Sequence, residues 1–240
     1  TYFYGVNFYL ALFAAGAMSG FVGWLIGFPT LKAKLRSDYF AIATLGFGEA
    51  IRVLLENLDI TQGARGLPGI AAETTLPVVL GISVIVLWVA HNFVTSRFGR
   101  AAIAVREDFT AAEMMGIDLF AVRMRSLVFS AVTAGLAGGL FAHYVGFIQP
   151  SMFTAALSTQ LTAGVVAGGM GSISGPAIAA VLFVAIPEVL RVASMWRLVA
   201  YGFLLVAIMV FRPQGLMGHQ EISWTACKAF WRRFTRQNVA

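Results

Sequence analysis

The chain has 240 residues, of which 59% are hydrophobic and only 12% are charged, with a formal net charge of +6. A soluble domain is about half apolar and a quarter charged, so this composition excludes an ordinary water-soluble fold. The single cysteine, Cys227, excludes an internal disulfide and a cysteine-based metal site, and the three histidines are not spaced as ligand pairs.

Apolar runs of the length that crosses a lipid bilayer recur along the whole chain. They predict an all-α, polytopic membrane protein with about seven spans, at residues 4–28, 38–57, 76–95, 126–148, 154–170, 176–191 and 197–211. The first run starts almost at Thr1, without an initiator Met and without the basic start of a signal peptide, so we interpret it as a span. We expect further residues before it.

Basic residues concentrate in alternate connections between these spans. They are Lys32, Lys34 and Arg36; Arg97, Arg100, Arg106, Arg123 and Arg125; and Arg212, Lys228, Arg232, Arg233 and Arg236. With an odd number of crossings all three groups fall on one side, which the positive-inside rule places in the cytoplasm together with the C-terminus.

Small residues recur four positions apart within the spans, in the pairs Gly16 and Gly20, Gly23 and Gly27, Gly135 and Gly139, and Gly164 and Gly168. This spacing lets helices approach closely in lipid and predicts a compact bundle or a homologous pair of subunits.

The second predicted span contains charges, in the stretch "GFGEAIRVLLEN". Glu49, Arg52 and Glu56 fall on one helical face. Charges at that depth are costly unless they are paired or face water. Two interpretations remain open: part of a translocation path, or a buried ion pair that fixes the helix. The glycine-rich stretch at 61–69 that follows is expected outside, as an entrance loop or a flexible connection.

A charged, helix-sized segment, "VREDFTAAEMMGI", interrupts the apolar pattern at 105–117. Asp108 or Thr110 is expected to cap a short helix that runs through Met115 and ends at Gly116. Small residues and two methionines would give it a surface for another protein's groove. The alternative is an amphipathic connector without a partner. The candidate contact residues are Glu107, Asp108, Thr110, Ala111, Ala112, Glu113 and Gly116.

A second interruption, "GVVAGGMGSISGPAIAA" at 164–180, lies between two short spans. Broken helices of this kind bind polar solutes in transporters, which makes Gly168, Gly169 and Gly171 candidate path residues. A tight cytoplasmic turn explains the glycines equally well. Glu188 and Arg191 repeat the spacing of Glu49 and Arg52, a weak sign of duplication.

The sequence contains no P-loop and no catalytic cluster, so no cofactor and no enzyme activity are expected in this chain. Residues 219–240 form a basic tail that interleaves aromatic residues with lysine and arginine, which suits the surface of the bilayer better than nucleic acid. A proton-coupled secondary transporter, with Glu49 or Glu188 as proton carrier, is a competing hypothesis.

Several blocks together carry a family resemblance. "TAAEMMG" is similar to the cytoplasmic signature of bacterial ABC importer permeases, with Ala111, Ala112 and Gly116 matching and Thr110 standing where the general signature has Glu. "SDYFAIATLGFGEAIRVLLEN", "SRFGRAAIAVREDFTAAEMMGID", "GLAGGLFAHYVGFIQPSMF", "GGMGSISGPAIAAVL" and "FRPQGLMG" resemble, in order, the permease subunits of branched-chain amino acid ABC importers.

The resemblance implies a transmembrane permease domain at residues 1–218, with a cytoplasmic coupling loop at 96–125, in the bacterial inner membrane. It implies a second related permease, two cytoplasmic P-loop ATPase subunits and a periplasmic or extracellular substrate-binding protein as partners. The implied substrates are branched-chain or other small hydrophobic amino acids; urea, amides and small organic acids are the alternatives within the same machine.

Overall fold

The computed structural model describes residues 7–33, 37–59, 62–169 and 171–189, together with Gly202 and Gly215. Eight α-helices occupy these ranges. They are α1 (Phe8–Lys32), α2 (Ser37–Asn57), α3 (Leu76–Thr95), α4 (Arg97–Glu107), α5 (Phe109–Met114), α6 (Leu119–Val145), α7 (Ala155–Gly168) and α8 (Ser174–Val189). The all-α prediction is therefore confirmed, and six of the predicted spans correspond to α1, α2, α3, α6, α7 and α8.

Three of these helices, α1, α3 and α6, are long and apolar enough to cross a membrane. Helix α2 is long but carries the charged face, and α7 and α8 are shorter, with 14 and 16 residues. The predicted span at 197–211, Gly202 excepted, and the basic tail at 219–240 lie outside the described residues.

Short non-helical segments connect the helices. A 3₁₀ turn at Gly63–Arg65 leads into the two-residue strand β1 (Leu67–Pro68), which pairs antiparallel with β2 (Phe147–Ile148) immediately after α6. A second 3₁₀ turn follows at Pro150–Met152. Leu67 and Pro68, within the stretch at 61–69, are thus paired with the residues that follow α6, and the entrance-loop and flexible-connection interpretations both stay predictions.

Residues up to Ala155 form one compact unit and the following residues form another. In the first unit the central feature is the antiparallel pair α1 and α6. A Cβ built on Gly16 would lie 3.2 Å from Leu136, one on Gly23 2.6 Å from the Ala131 Cβ, and one on Gly27 2.5 Å from Leu127. Because these glycines lie under side chains of the partner helix, the prediction of close helix packing at this spacing is confirmed for this pair.

The two ends of this helix pair differ in chemistry. At one end Phe8, Leu12 and Leu140 form a buried apolar cluster, with Val78 and Ile82 of α3 packed against it. At the opposite end the ring of Phe28 contacts that of Phe120, beside Lys32. The α4–α5 connection joins α6 at this second end, so Lys32 and the basic connection at 97–125 lie at the same end of the helix pair.

Helix α6 starts seven residues before the predicted span at Ser126. Asp118 caps it, because its Oδ1 accepts a hydrogen bond from the Ala121 amide at 3.1 Å. Arg123 and Arg125 are therefore on the first turns of α6 and not in an extended connection. The hydropathy pattern placed the boundary too late because it follows apolar length, whereas the helix begins where a side chain satisfies its free amides.

Candidate functional site

The predicted short helix in the basic connection exists, with Asp108 and not Thr110 as its cap, and it ends at Met114, one residue before the predicted Met115. Asp108 Oδ1 accepts hydrogen bonds from the amides of Thr110 and Ala111, at 2.8 and 3.0 Å. Gly116 has a φ of +79°, a left-handed conformation that glycine adopts without steric cost and that ends the helix. Residues 108–116 thus form a single capped turn of helix between α4 and α6.

The exposed surface of α5 contains the two methionines but only one of the two alanines that we expected there. The Met114 and Met115 residues are 84% and 82% exposed, whereas Ala112 is 4% exposed and faces the rest of the chain. Ala111 and Glu113 are exposed. The expectation that both alanines form the outer surface is therefore wrong for Ala112, because the side of α5 that carries it packs inward.

The carboxylates before and within α5 have different surroundings. Glu107 forms an exposed ion pair with the neighbouring Arg106, at 2.6 Å. Asp108 is used as the helix cap. Glu113 is exposed on α5 itself, so the outer face of this turn combines two methionines with a carboxylate.

Two arginines of α6 lie over aromatic rings in this region, which the sequence analysis did not anticipate. The Arg123 guanidinium carbon is 4.1 Å from the ring centroid of Phe109, the first residue of α5. The corresponding distance from Arg125 to Phe98, on α4, is 4.6 Å. Both distances fit attractive cation–π contacts. The one available signal was the presence of three phenylalanines, Phe98, Phe109 and Phe120, in a connection that also carries five arginines.

The charged face of α2 forms an ion-pair cluster within the helix. The Arg52 guanidinium donates to Glu49 Oε1, with 2.9 Å for the Nε contact, and to Glu56 Oε1 at 2.5 Å. The side chains of Arg52 and Glu56 are 23% and 25% exposed, and that of Glu49 is 44% exposed. Two carboxylates share one guanidinium, so the cluster carries a formal charge of −1.

Two depressions meet at this cluster. The first, of about 800 Å³, has Glu49 in a mainly apolar lining that also includes Gly46, Ala50, Val53, Leu54, Asn57 and Leu58. The second, of about 340 Å³, is polar and is lined by Glu56, Asn57, Asp59, Gln62, Gly63 and Arg65. Glu56 and Glu49 therefore belong to different depressions, and Arg52 bonds to both.

Backbone atoms fill the space beside the glycines between α7 and α8. A Cβ on Gly168 would lie 2.7 Å from the carbonyl carbon and oxygen of Gly175. Gly169 has a φ of +110°, and the Gly175 amide donates to Ser172 Oγ at 3.2 Å. Gly171 is partly exposed in the turn itself. This geometry favours a tight turn with closely packed backbones over a solute site at Gly168.

The predicted repeat of Glu49 and Arg52 at Glu188 and Arg191 falls on side chains that the structure does not describe. The helix α8 includes Glu188, but its side chain is outside the described part of the structure, and so is Arg191, so the suggested repeat of Glu49 and Arg52 stays a prediction. No group of three or more His, Cys, Asp or Glu side chains that could hold a metal ion occurs among the described residues.

Comparison with known proteins gives a consistent picture. A family profile for the permease component of branched-chain amino acid transport systems matches residues 1–212. The chain is 36% identical, over 90% of its length and 59% of the relative's, to the high-affinity branched-chain amino acid transport system permease protein LivM of Salmonella typhimurium.

Two further relatives are more distant. The identity is 26% to the autoinducer 2 import system permease protein LsrC of Escherichia coli, over 84% of the chain and 62% of the relative. The identity to the probable branched-chain amino acid transport permease protein LivM of Methanocaldococcus jannaschii is 25%, over 89% of the chain and 69% of the relative. The chain spans about three-fifths of the length of the first two relatives. No solved structure matches it.

Proposed function

Because the chain belongs to the family of permease components of branched-chain amino acid transport systems, we propose that it lines the membrane path of an ATP-driven importer. In this proposal α5 couples the path to separate ATPase subunits. The observation that carries it is α5 itself, a capped turn of helix at the basic end of the bundle with two almost fully exposed methionines.

The exposed face of α5 has the chemistry of a docking surface. Methionine side chains are flexible and polarisable, so they adapt to an apolar groove on another protein. Glu113 adds a negative charge beside them. The proposed contact on the ATPase is therefore an apolar cleft with a basic edge, into which Met114 and Met115 insert. Ala112 supports the helix from behind.

The ATP-binding function belongs to the partner. The sequence has no Gly-rich phosphate-binding loop with its lysine, and its only lysines are Lys32, Lys34 and Lys228. We therefore propose two cytoplasmic P-loop ATPases, with the basic connections and the C-terminus on the same, cytoplasmic side of the inner membrane. A second, related permease and a substrate-binding protein on the outer side complete the assembly.

The proposed path follows the charged face of α2. The polar depression at Glu56 lies beside the Gly63–Arg65 turn, at the end of α2 opposite the basic connections, and the mainly apolar depression at Glu49 follows it. The second of these depressions is lined by residues of α2 and the adjoining Leu58, so it is an open surface that another part of the assembly would have to complete. An apolar lining with a few charged groups suits small zwitterions with aliphatic side chains.

The substrate class we propose is branched-chain or other small hydrophobic amino acids. The relative named for autoinducer 2 import indicates that permeases similar to this chain serve other solutes, so urea, amides and small organic acids remain alternatives. Glu49 is bonded to Arg52, which favours a structural or path role for this carboxylate over that of a free proton carrier.

The test is capture of the protein from its native membrane in mild detergent, followed by uptake measurements with the recovered complex in liposomes. We expect the captured complex to contain a P-loop ATPase and a second hydrophobic permease. We expect its uptake of leucine, isoleucine or valine to require ATP on the side of the liposome membrane that carries the ATPase. Uptake that continues without ATP and collapses with the proton gradient would contradict the proposal and support the secondary-transporter alternative.

A further inference from the structure

The contact between Phe109 and Arg123 joins α5 to α6 through side chains. Phe109 is the first residue of α5, and its ring lies under a guanidinium that α6 carries one turn after its own start. Inside α5 the side chain of Ala112 is buried, which gives the helix a second point of support. The backbone turn between α5 and α6 also connects the two helices, and within it the Ile117 amide donates a hydrogen bond to the Ala112 carbonyl at 3.1 Å.

The ring is the main partner of this guanidinium. Within the described ranges Arg123 forms no salt bridge, because the ion pairs found there involve Arg52 and Arg106. Arg123 also borders a cavity of about 320 Å³ whose other lining residues are Leu31, Phe40, Ala102, Val122, Ser126 and Leu127. A guanidinium beside an apolar cavity gains little elsewhere, so the aromatic face decides its position.

Helix α6 is built to carry a displacement as one body. Its 27 residues span about 40 Å, and between Met124 and Leu136 it packs closely against the glycines of α1. At its far end the His143 Nδ1 donates to the Ala71 carbonyl at 2.8 Å, and the Thr74 hydroxyl donates to the Leu140 carbonyl at 3.2 Å. A shift of its first turn therefore reaches the β1–β2 end.

We infer that the Phe109–Arg123 contact is a positioning contact that transmits movement of α5 to α6. The inference rests on the proposed function, because it assumes that a partner moves α5. Loss of the ring removes one of the side-chain supports of α5, so the helix tilts against α6 when it is pushed. ATP hydrolysis then continues while the path opens less often.

The chain offers a matched control in the second contact, between Phe98 and Arg125. It involves the same helix, α6, but its ring is on α4 and not on the helix that we propose to bind the ATPase. The Phe98 ring also lies 6.0 Å from the guanidinium carbon of Arg97, so Phe98→Leu removes at least as much cation–π contact as Phe109→Leu does. Phe98→Leu and Phe109→Leu therefore remove equivalent aromatic rings from neighbouring places, and only the second should uncouple the machine.

The first experiment measures the number of amino acid molecules imported per ATP hydrolysed, with a mixture of leucine, isoleucine and valine and the complete complex in liposomes. For Phe109→Leu and for Arg123→Gln we expect this ratio to fall roughly fivefold, the change in an equilibrium constant that one cation–π contact supports. The double variant should lose no more than either single one. Phe109→Trp should keep the ratio, since its ring presents the stronger face.

A second readout does not depend on the solute. In a Cys227→Ser background, a spin label is placed at Tyr144→Cys, an exposed position near the far end of α6. Addition of an ATP analogue should change the label's spectrum in the wild-type and Phe98→Leu proteins and leave it unchanged in Phe109→Leu.

Each outcome has a defined meaning. In Phe109→Leu, an import ratio equal to that of the wild type, together with the same spectral change on addition of the ATP analogue as the wild type shows, would overturn this inference alone. An equal fall of the import ratio in Phe98→Leu would also overturn it, because removal of either aromatic ring in this region would then have the same effect. ATP-independent uptake by the wild type would overturn the proposed function and this inference together.

Discussion

The packing of α1 against α6 makes a quantitative prediction at Gly23. A methyl group added there would lie 2.6 Å from the Cβ of Ala131, which is fixed by the backbone and cannot rotate away. To restore the ~3.4 Å separation of ordinary contact, the two helices must move apart locally by about 0.8 Å. Because neighbouring contacts on both helices are equally close, this movement weakens packing on either side of the substitution.

We expect Gly23→Ala to destabilise the protein by about 1–3 kcal/mol, the usual cost of overpacking a tight interface. The matched control is Gly138→Ala on α6, where nothing lies within 4 Å of the added Cβ. Alanine is favoured over glycine in a helix by up to ~1 kcal/mol, so this control should be neutral or stabilising.

The assay is unfolding of the purified protein in mild detergent, followed by circular dichroism. Ala131→Gly should rescue Gly23→Ala, because it removes the atom that the new methyl group meets, and a double-mutant cycle would measure this coupling directly. Equal stability of Gly23→Ala and Gly138→Ala, or a double variant less stable than the sum of the single changes, would refute the reasoning.

Three further predictions follow from other contacts. Asp108→Ala should destabilise α5 by about 1 kcal/mol and lower the import ratio, whereas Asp108→Asn, which keeps an acceptor oxygen, should lose less; amide hydrogen exchange in α5 checks this. Arg52→Gln should lower the melting temperature more than the triple variant E49Q/R52M/E56Q, since it leaves two carboxylates without their shared cation; an equal drop would argue against the ion-pair cluster. Gly168→Ala should cost about 1–3 kcal/mol relative to Gly138→Ala, because the backbone of the next helix occupies the space; tolerance of alanine would reopen the solute-site interpretation.

The predicted helices were accurate where the pattern had a clear physical cause. Helix α3 has the predicted bounds, Leu76–Thr95, because a proline at its second residue marks its start and the chain leaves the helix at Ser96, whose hydroxyl caps α4. Helix α5 was predicted from a capping residue and a terminating glycine, two signals that act within a few residues of the sequence. Both cases depend on local interactions alone.

The predictions failed where distant residues decide the outcome. The pairing of β1 with β2 joins two-residue segments that are about eighty positions apart, and no periodicity can appear in so few residues. The burial of Ala112 depends on how α5 lies against its neighbours. The two arginine–ring contacts were likewise invisible, because cation–π contacts have no fixed sequence spacing.

The sequence by itself determined the class of protein, most of the helices, and the capped turn at 108–116. Each of these follows from hydropathy, charge or local hydrogen bonding, which act over one helix length or less. Only the tertiary structure decided which face of α5 is exposed and which aromatic rings Arg123 and Arg125 contact. It also decided that Gly168 packs against the backbone of α8. Those outcomes depend on distances between helices, and these are set by the volumes of side chains far apart in the chain.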